Sequence, residues 1–190
     1  MKIIGGRYKG RNFYMPKDIR PTQSMAREAL FNMLGQDLSG FSFLDVFAGS
    51  GAVGLEAISR GAANVAFLEK DAKNAELIRD NIRLLNIDHL SRDLTIEVLH
   101  LDAFAGIKVL AEQGRQFDVI FIDPPYQREY AKKALKTLNA HVIVHPNSTL
   151  IIQHDKREIL PEDAGRFRVY RQNKYGKSHF SIYSSNNKRL

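Results

Sequence analysis

Cysteine and tryptophan are both absent from the 190 residues. Without cysteine, disulfide scaffolds and thiolate metal sites are excluded, and a reducing, cytoplasmic setting is the expectation. No stretch approaches the roughly 20 apolar residues of a membrane span. The opening Met1-Lys2-Ile3-Ile4-Gly5-Gly6-Arg7 turns polar too early for the apolar core of a signal peptide. Internal repeats, low-complexity tracts and Ser/Pro-rich linkers are also missing, which argues against two full domains. What is present is 44% apolar residues, in a chain long enough to bury roughly 70% of its unfolded surface in one core. The expected organisation is a single globular domain over 23–190, preceded by a basic appendage over 1–22.

The net charge of +7 is unevenly placed. Residues 1–40 carry seven basic and three acidic side chains, and residues 161–190 carry seven and two. The middle of the chain is close to neutral. Two basic ends on one small domain suit a polyanionic partner. In Arg7-Tyr8-Lys9-Gly10-Arg11-Asn12-Phe13-Tyr14 the cations alternate with aromatic and apolar residues, as in a strand or hairpin turning at Lys9-Gly10. Arg7, Lys9 and Arg11 are the candidate contacts to nucleic acid.

Beyond this segment the pattern alternates between helix and strand. After Arg20-Pro21-Thr22 a helix is predicted with Met25, Ala29, Leu30, Met33 and Leu34 on its apolar face, capped at Thr22 or Ser24 and stopped by Gly35. Strands are predicted at Phe43–Phe47, Val65–Glu69, Ile96–Leu101, Val119–Asp123 and Leu150–His154. The intervening helices are predicted near Val53–Arg60, Ala72–Leu85, Phe104–Gln113 and Glu129–Leu138. Short, near-continuously apolar strands separated by amphipathic helices imply a doubly wound, mostly parallel α/β sheet. Phe167–Lys174 and His179–Ser184, with no helix between them, imply an antiparallel hairpin at its end. In such sheets ligands bind beyond the carboxyl ends of the strands.

The first strand runs into Ala48-Gly49-Ser50-Gly51-Ala52-Val53-Gly54, where small residues let backbone approach a ligand at a helix N-terminus. Glu69 ends the next strand, where an acid can accept hydrogen bonds from ribose hydroxyls. Both a nicotinamide dinucleotide and S-adenosylmethionine satisfy this much. Asp45, just ahead of the glycine turn, favours S-adenosylmethionine, because a carboxylate there suits a cationic amino-acid end and repels a pyrophosphate. Asp102-Ala103 follows the third strand and can meet an adenine edge, although Asp102 also suits the N-cap of the next helix.

Val119-Ile120-Phe121-Ile122 leads into Asp123-Pro124-Pro125-Tyr126. The exocyclic amine of a nucleobase is a poor nucleophile because its lone pair is delocalised into the ring. A carboxylate and a backbone carbonyl, from Asp123 and Pro124, can each accept one N–H and aim the lone pair at a methyl carbon. Prolines 124 and 125 restrict the carbonyl's direction. Tyr126 can stack on a base swung out of its helix. Proximity, alignment and electrostatics supply the rate, with no covalent intermediate and no metal.

These segments resemble the RsmD-type methyltransferases that modify guanine N2 in small-subunit ribosomal RNA. Ile3-Ile4-Gly5-Gly6-Arg7-Tyr8-Lys9-Gly10-Arg11 is similar to that family's N-terminal hairpin. Arg20-Pro21-Thr22 with Arg27-Glu28-Ala29-Leu30-Phe31-Asn32 is similar to its first helix. Leu44 to Gly51, Glu56 to Ala62, Asp123 to Tyr126 and the late Tyr175-Gly176 complete the likeness. The resemblance implies a class I S-adenosylmethionine-dependent fold and a guanine of 16S rRNA as substrate, guanine 966 in that family. It implies a cytoplasmic monomer acting on the small ribosomal subunit or its assembly intermediates. It implies S-adenosyl-L-methionine held by Thr22, Asp45, Phe47, Ala48, Gly49, Ser50, Gly51, Glu69, Lys70, Asp102 and Ala103. Asp123, Pro124, Pro125 and Tyr126 would meet the target base, and Arg7, Lys9 and Arg11 the RNA. Two departures stand out: Gln153 where the family is expected to carry a glutamate, and Lys177-Ser178 where an acid and a threonine are expected.

The six histidines lack metal-ligand spacing, and His154 is read as structural. Lys132, Lys133 and Lys136 are read as a solvated helix face. A DNA amino methyltransferase, a protein-glutamine methyltransferase, a nicotinamide oxidoreductase and a non-catalytic assembly protein are the competing readings.

Overall fold

The computed structural model describes residues 1–15, 22–87, 94–125, 129–175 and 178–185. They divide into two compact units, Met1–Leu101 and Asp102–Leu190. The first contains α1 (Thr22–Leu34), β1 (Ser42–Val46), α2 (Ala52–Ser59), β2 (Asn64–Glu69), α3 (Ala72–Leu84) and β3 (Thr95–His100). Its strands are parallel in the order β3-β2-β1. Phe43, Leu44, Val46, Ala66, Phe67 and Leu68 are buried, as strands covered on both faces require. Asp71 caps α3, its side chain accepting from the backbone N–H groups of Lys73 and Asn74.

The second unit contains α4 (Ala103–Glu112), β4 (Phe117–Ile122), α5 (Tyr130–Ala140), β5 (Val144–Asp155), β6 (Asp163–Ala164), β7 (Phe167–Tyr175) and β8 (Ser178–Ser184). Here the order is β4-β5-β8-β7-β6. β4 and β5 run parallel, while β8, β7 and β6 are antiparallel additions. The strand-helix alternation and the terminal hairpin agree with the sequence pattern.

Three details differ from it. β5 starts at Val144, six residues before the predicted Leu150, and its register against β4 slips between Phe117 and Val119. Ser148 holds the irregular stretch, its Oγ accepting from His145 N and donating to the Phe117 carbonyl. The two-residue β6 carries too little pattern to be read. The buried face of α1 keeps the predicted Ala29 and Leu30 but is rotated from the predicted one: Met25 is 74% exposed, and Ala26, Arg27 and Phe31 are buried in its place. A buried arginine beside Leu30 and Phe31 turns the helix, for a reason that lies in α2.

Glu56, on α2, is fully buried. Its Oε1 accepts from Gly5 N at 2.7 Å and from Arg60 Nε at 3.0 Å, and its Oε2 from Ile4 N at 3.0 Å. Arg27 Nε lies 3.7 Å from the same carboxylate, and Arg27 Nη2 donates to the Lys2 carbonyl. Arg60 also reaches Gln36 and lies over the Phe31 ring. Ser59 extends the seam, donating to Gly5 O and accepting from Tyr8 N. The first residues are thereby bonded into the first unit. Their chain reversal is narrower than the predicted hairpin, with one bridge between Lys2 and Asn12 and a turn that ends at Gly10, φ +84°. Ile3, Tyr8 and Phe13 bury their side chains beneath it.

Removing one partner of a buried ion network leaves the others uncompensated, at a cost of about 3–5 kcal/mol. Glu56→Ala is therefore expected to lower unfolding stability by that amount in urea titration. Exposed Glu76→Ala, which breaks surface pairs with Arg79 and Arg83, is expected to change it by less than about 1 kcal/mol.

Candidate cofactor and catalytic site

In the first unit the candidate residues cluster where β1 turns into α2. Phe47 leaves the strand at φ +65°, a left-handed conformation that is strained for a bulky residue, and Gly49 and Gly51 follow at +56° and +77°. Two acids brace this turn. Asp45, buried on β1, accepts from Gly54 N at 2.9 Å. Glu69, at the end of β2, accepts from Gly49 N through one oxygen and from Asp71 N through the other, each at 2.7 Å. Ala48 N donates to Leu68 O, tying the turn to β2. Ser50 Oγ contacts Met15 Sδ at 2.9 Å. Lys70 is exposed, and its carbonyl meets His100 Nε2 at 3.1 Å.

Gly54 shows why the third glycine is required. A Cβ there would stand 2.2 Å from Cε1 of the buried Phe67. Asn81 is a residue that the sequence reading missed. It is fully buried on α3, accepts from Tyr14 N, and donates to the carbonyls of Tyr14 and Ser50. It thus joins the glycine turn to the N-terminal segment. Its signal was an amide within the apolar stripe formed by Ile78 and Ile82.

The turn fits S-adenosylmethionine on two observations. Space above Gly49 is open, with nothing within 4 Å of where a Cβ would lie, and α2 starts after Gly51 at the N-cap, with no side-chain cap. The acids Asp45 and Glu69 stand at this turn, carboxylates that suit a ligand with a cationic amino-acid end and ribose hydroxyls.

In the second unit Asp102 caps α4, accepting from Phe104 N at 3.0 Å, and Ala103 is buried as the first helical residue. Asp102 is exposed, so its outward oxygen stays accessible. Asp123 follows the last residue of β4, with Pro124 buried and Pro125 exposed beyond it. Desolvation at this strand end pushes the Asp123 carboxyl up to about 7, with no hydrogen bond or countercharge among the described residues to offset it. Arg20, Pro21 and Tyr126 lie outside the described residues, as does the side chain of Thr22.

The candidate RNA contacts lie in the first unit. Arg7 and Lys9 are exposed. Arg11 is exposed too, yet its guanidinium donates to Leu85 O at 2.6 Å and lies over the Tyr8 ring, giving it a structural duty.

The profile of the family described as "Conserved hypothetical protein 95" matches residues 1–184. The chain belongs to this family. It is 31% identical over 185 residues to the putative rRNA methyltransferase YlbH of Bacillus subtilis, covering 96% of this chain and 98% of that one. It is 34% identical to ribosomal RNA small subunit methyltransferase D of Buchnera aphidicola from Acyrthosiphon pisum, covering 85% and 82%. The solved structure of the putative methyltransferase yhhF from Escherichia coli superimposes with a TM-score of 0.81 at 27% identity, covering 98% of both chains. The family's fold is the Rossmann-like class I methyltransferase fold, as the resemblance implied.

The raised Asp123 carboxyl makes a stability prediction. The folded protein holds this proton more tightly than the unfolded chain, so the group's contribution drains away as pH rises from about 4 to 7 and stays lost above. Asp123→Asn, which cannot ionise, is expected to melt at a higher temperature than the native protein at pH 8. The difference should shrink at pH 4.5, as followed by circular dichroism.

Proposed function

We infer that the protein is an S-adenosylmethionine-dependent rRNA methyltransferase that methylates the exocyclic N2 of a guanine in 16S rRNA, guanine 966 by resemblance. The observation that carries this reading is Asp123-Pro124-Pro125 at the carboxyl end of β4, a carboxylate and a rigidly held carbonyl at a desolvated strand end. Family membership supports the same class, since relatives are named for methylation of ribosomal RNA.

When bound, S-adenosylmethionine supplies a methyl group activated by its sulfonium charge. Asp45 and the glycine turn would hold the amino-acid end, and Glu69 would accept from the ribose hydroxyls. Asp102 and the Ala103 N–H recognise the adenine, with Thr22, Phe47, Ala48, Ser50 and Lys70 around the rest. The Asp123 carboxylate and the Pro124 carbonyl each accept an N–H from the guanine amine, which localises its lone pair. The bound cofactor would supply its methyl group to that nitrogen, and Asp123 would take the surplus proton and pass it to solvent. A carboxyl near 7 suits that transfer, because above that pH it is ionised before the step, and it is basic enough to take the proton afterwards. Tyr126 stacks on the extruded base, a contact of about 1–3 kcal/mol. Residues 1–22 act as an RNA-contacting appendage to the domain over 23–190, with Arg7, Lys9 and Arg11 toward phosphates.

The test incubates the protein with methyl-labelled S-adenosylmethionine and, separately, small ribosomal subunits, naked 16S rRNA and duplex DNA, then digests and identifies the labelled nucleoside. N2-methylguanosine from subunits or rRNA is expected. Label in DNA or in protein, or none in any substrate, would overturn the reading.

A further inference from the structure

The outer strand of the terminal hairpin, β7, is largely exposed and basic, and the hairpin is in register with the catalytic strand. β4 and β5 pair Ile122 with Ile152, so Asp123 falls in line with Gln153. β5 and β8 pair Gln153 with Phe180, and β8 and β7 pair Phe180 with Asn173. Residues paired across a sheet project to the same face. Asp123, Gln153, Phe180 and Asn173 therefore form one row, and Arg171 and Tyr175 flank Asn173 on that face at two-residue spacing.

Side-chain contacts agree with this assignment on both faces. Tyr175 meets the Phe180 ring edge-on at 5.8 Å, and Asn173 Oδ1 accepts from Arg171 Nε at 3.1 Å. On the opposite face, His154 Nε2 meets Ser181 Oγ at 2.9 Å, the rings of His154 and His179 are in contact, and Gln172 reaches Ser181. The histidines thus point away from Asp123. The row grades outward from the buried Gln153 and Phe180 to Tyr175, 40% exposed, and the exposed Arg171.

We propose that this row is a single-stranded RNA track that extends the target-base site across β5, β8 and β7. The proposal rests on the function inferred above and names how that site selects its base. Strands lie about 4.8 Å apart, close to the span of a purine's Watson–Crick edge. With the N2 amine at Asp123, the Gln153 amide meets that edge at N1–H and O6, positions where guanine and 2-aminopurine differ. Tyr175 offers its face to the base of a flanking nucleotide, and Arg171 meets a phosphate. An aromatic plane beside a guanidinium is the usual means by which proteins follow unpaired RNA.

Two measurements test it. The first is the affinity of a fluorescent single-stranded RNA carrying the target sequence, by anisotropy, which requires no catalysis. Tyr175→Ala and Arg171→Ala are each expected to weaken binding about tenfold, with S-adenosylhomocysteine affinity unchanged. Arg157→Ala, on the β5–β6 connection, serves as the control. Equal affinities for the two track variants and the control would overturn the track, whatever the activity assay shows. The second compares methyl transfer to RNA carrying guanine or 2-aminopurine at the target position, both of which present the amine. The native protein is expected to prefer guanine, and Gln153→Leu to lose that preference through kcat/KM while Gln153→Glu retains most of it. An unchanged preference in Gln153→Leu would remove Gln153 from base selection. Absence of transfer by the native protein would instead sink the methylation reading and leave the track to the binding data.

Discussion

One buried carboxylate organises the first unit. Glu56 gathers two arginines and two backbone amides from three separate stretches of chain, and none of the five groups is tolerable alone in an apolar interior. Its position makes Arg27 face inward, which rotates α1 and turns Met25 to solvent. It also seats the N-terminal residues on α2, so the exposed Arg7 and Lys9 ride on a rigid base. Burial pulls the Arg27 guanidinium below its ordinary value, and Glu56 opposes that shift.

Acids at strand ends divide the chemistry. Asp45 and Glu69 accept from backbone N–H groups of the glycine turn, and those bonds shape the turn. Asp123 has no such bonds among the described residues, and burial leaves its carboxyl poised near neutrality. The same residue type thus serves as a brace in one place and, in the function proposed above, as a reactive acceptor in another, according to whether donors are provided.

Much of this was legible in the sequence because it rests on local pattern. Apolar runs located all five strands of the strand-helix alternation, and Gly35 marked a helix end. The glycine turn and Asp123-Pro124-Pro125 stood out by residue type at strand ends. What escaped depends on partners distant in the chain. The inward turn of Arg27 is dictated by Glu56, twenty-nine positions later. Asn81 reads as an ordinary polar residue on a helix until Ser50 and Tyr14 are seen beside it. The early start of β5 crosses Pro146, a residue that argues against a regular strand, and it is held by a Ser148 bond that no periodicity reveals. The row from Asp123 to Arg171 exists only through strand register, which sequence alone does not supply.

The central claim is that an ionised Asp123 accepts the amine's N–H and takes up its proton during methyl transfer. The most direct measurement is the single-turnover rate of transfer to small ribosomal subunits as a function of pH, with cofactor and RNA both bound. The account predicts a rate that climbs with pH, inflects near 7 and then levels. A rate independent of pH between 5.5 and 8.5, or one that falls as Asp123 ionises, would contradict it.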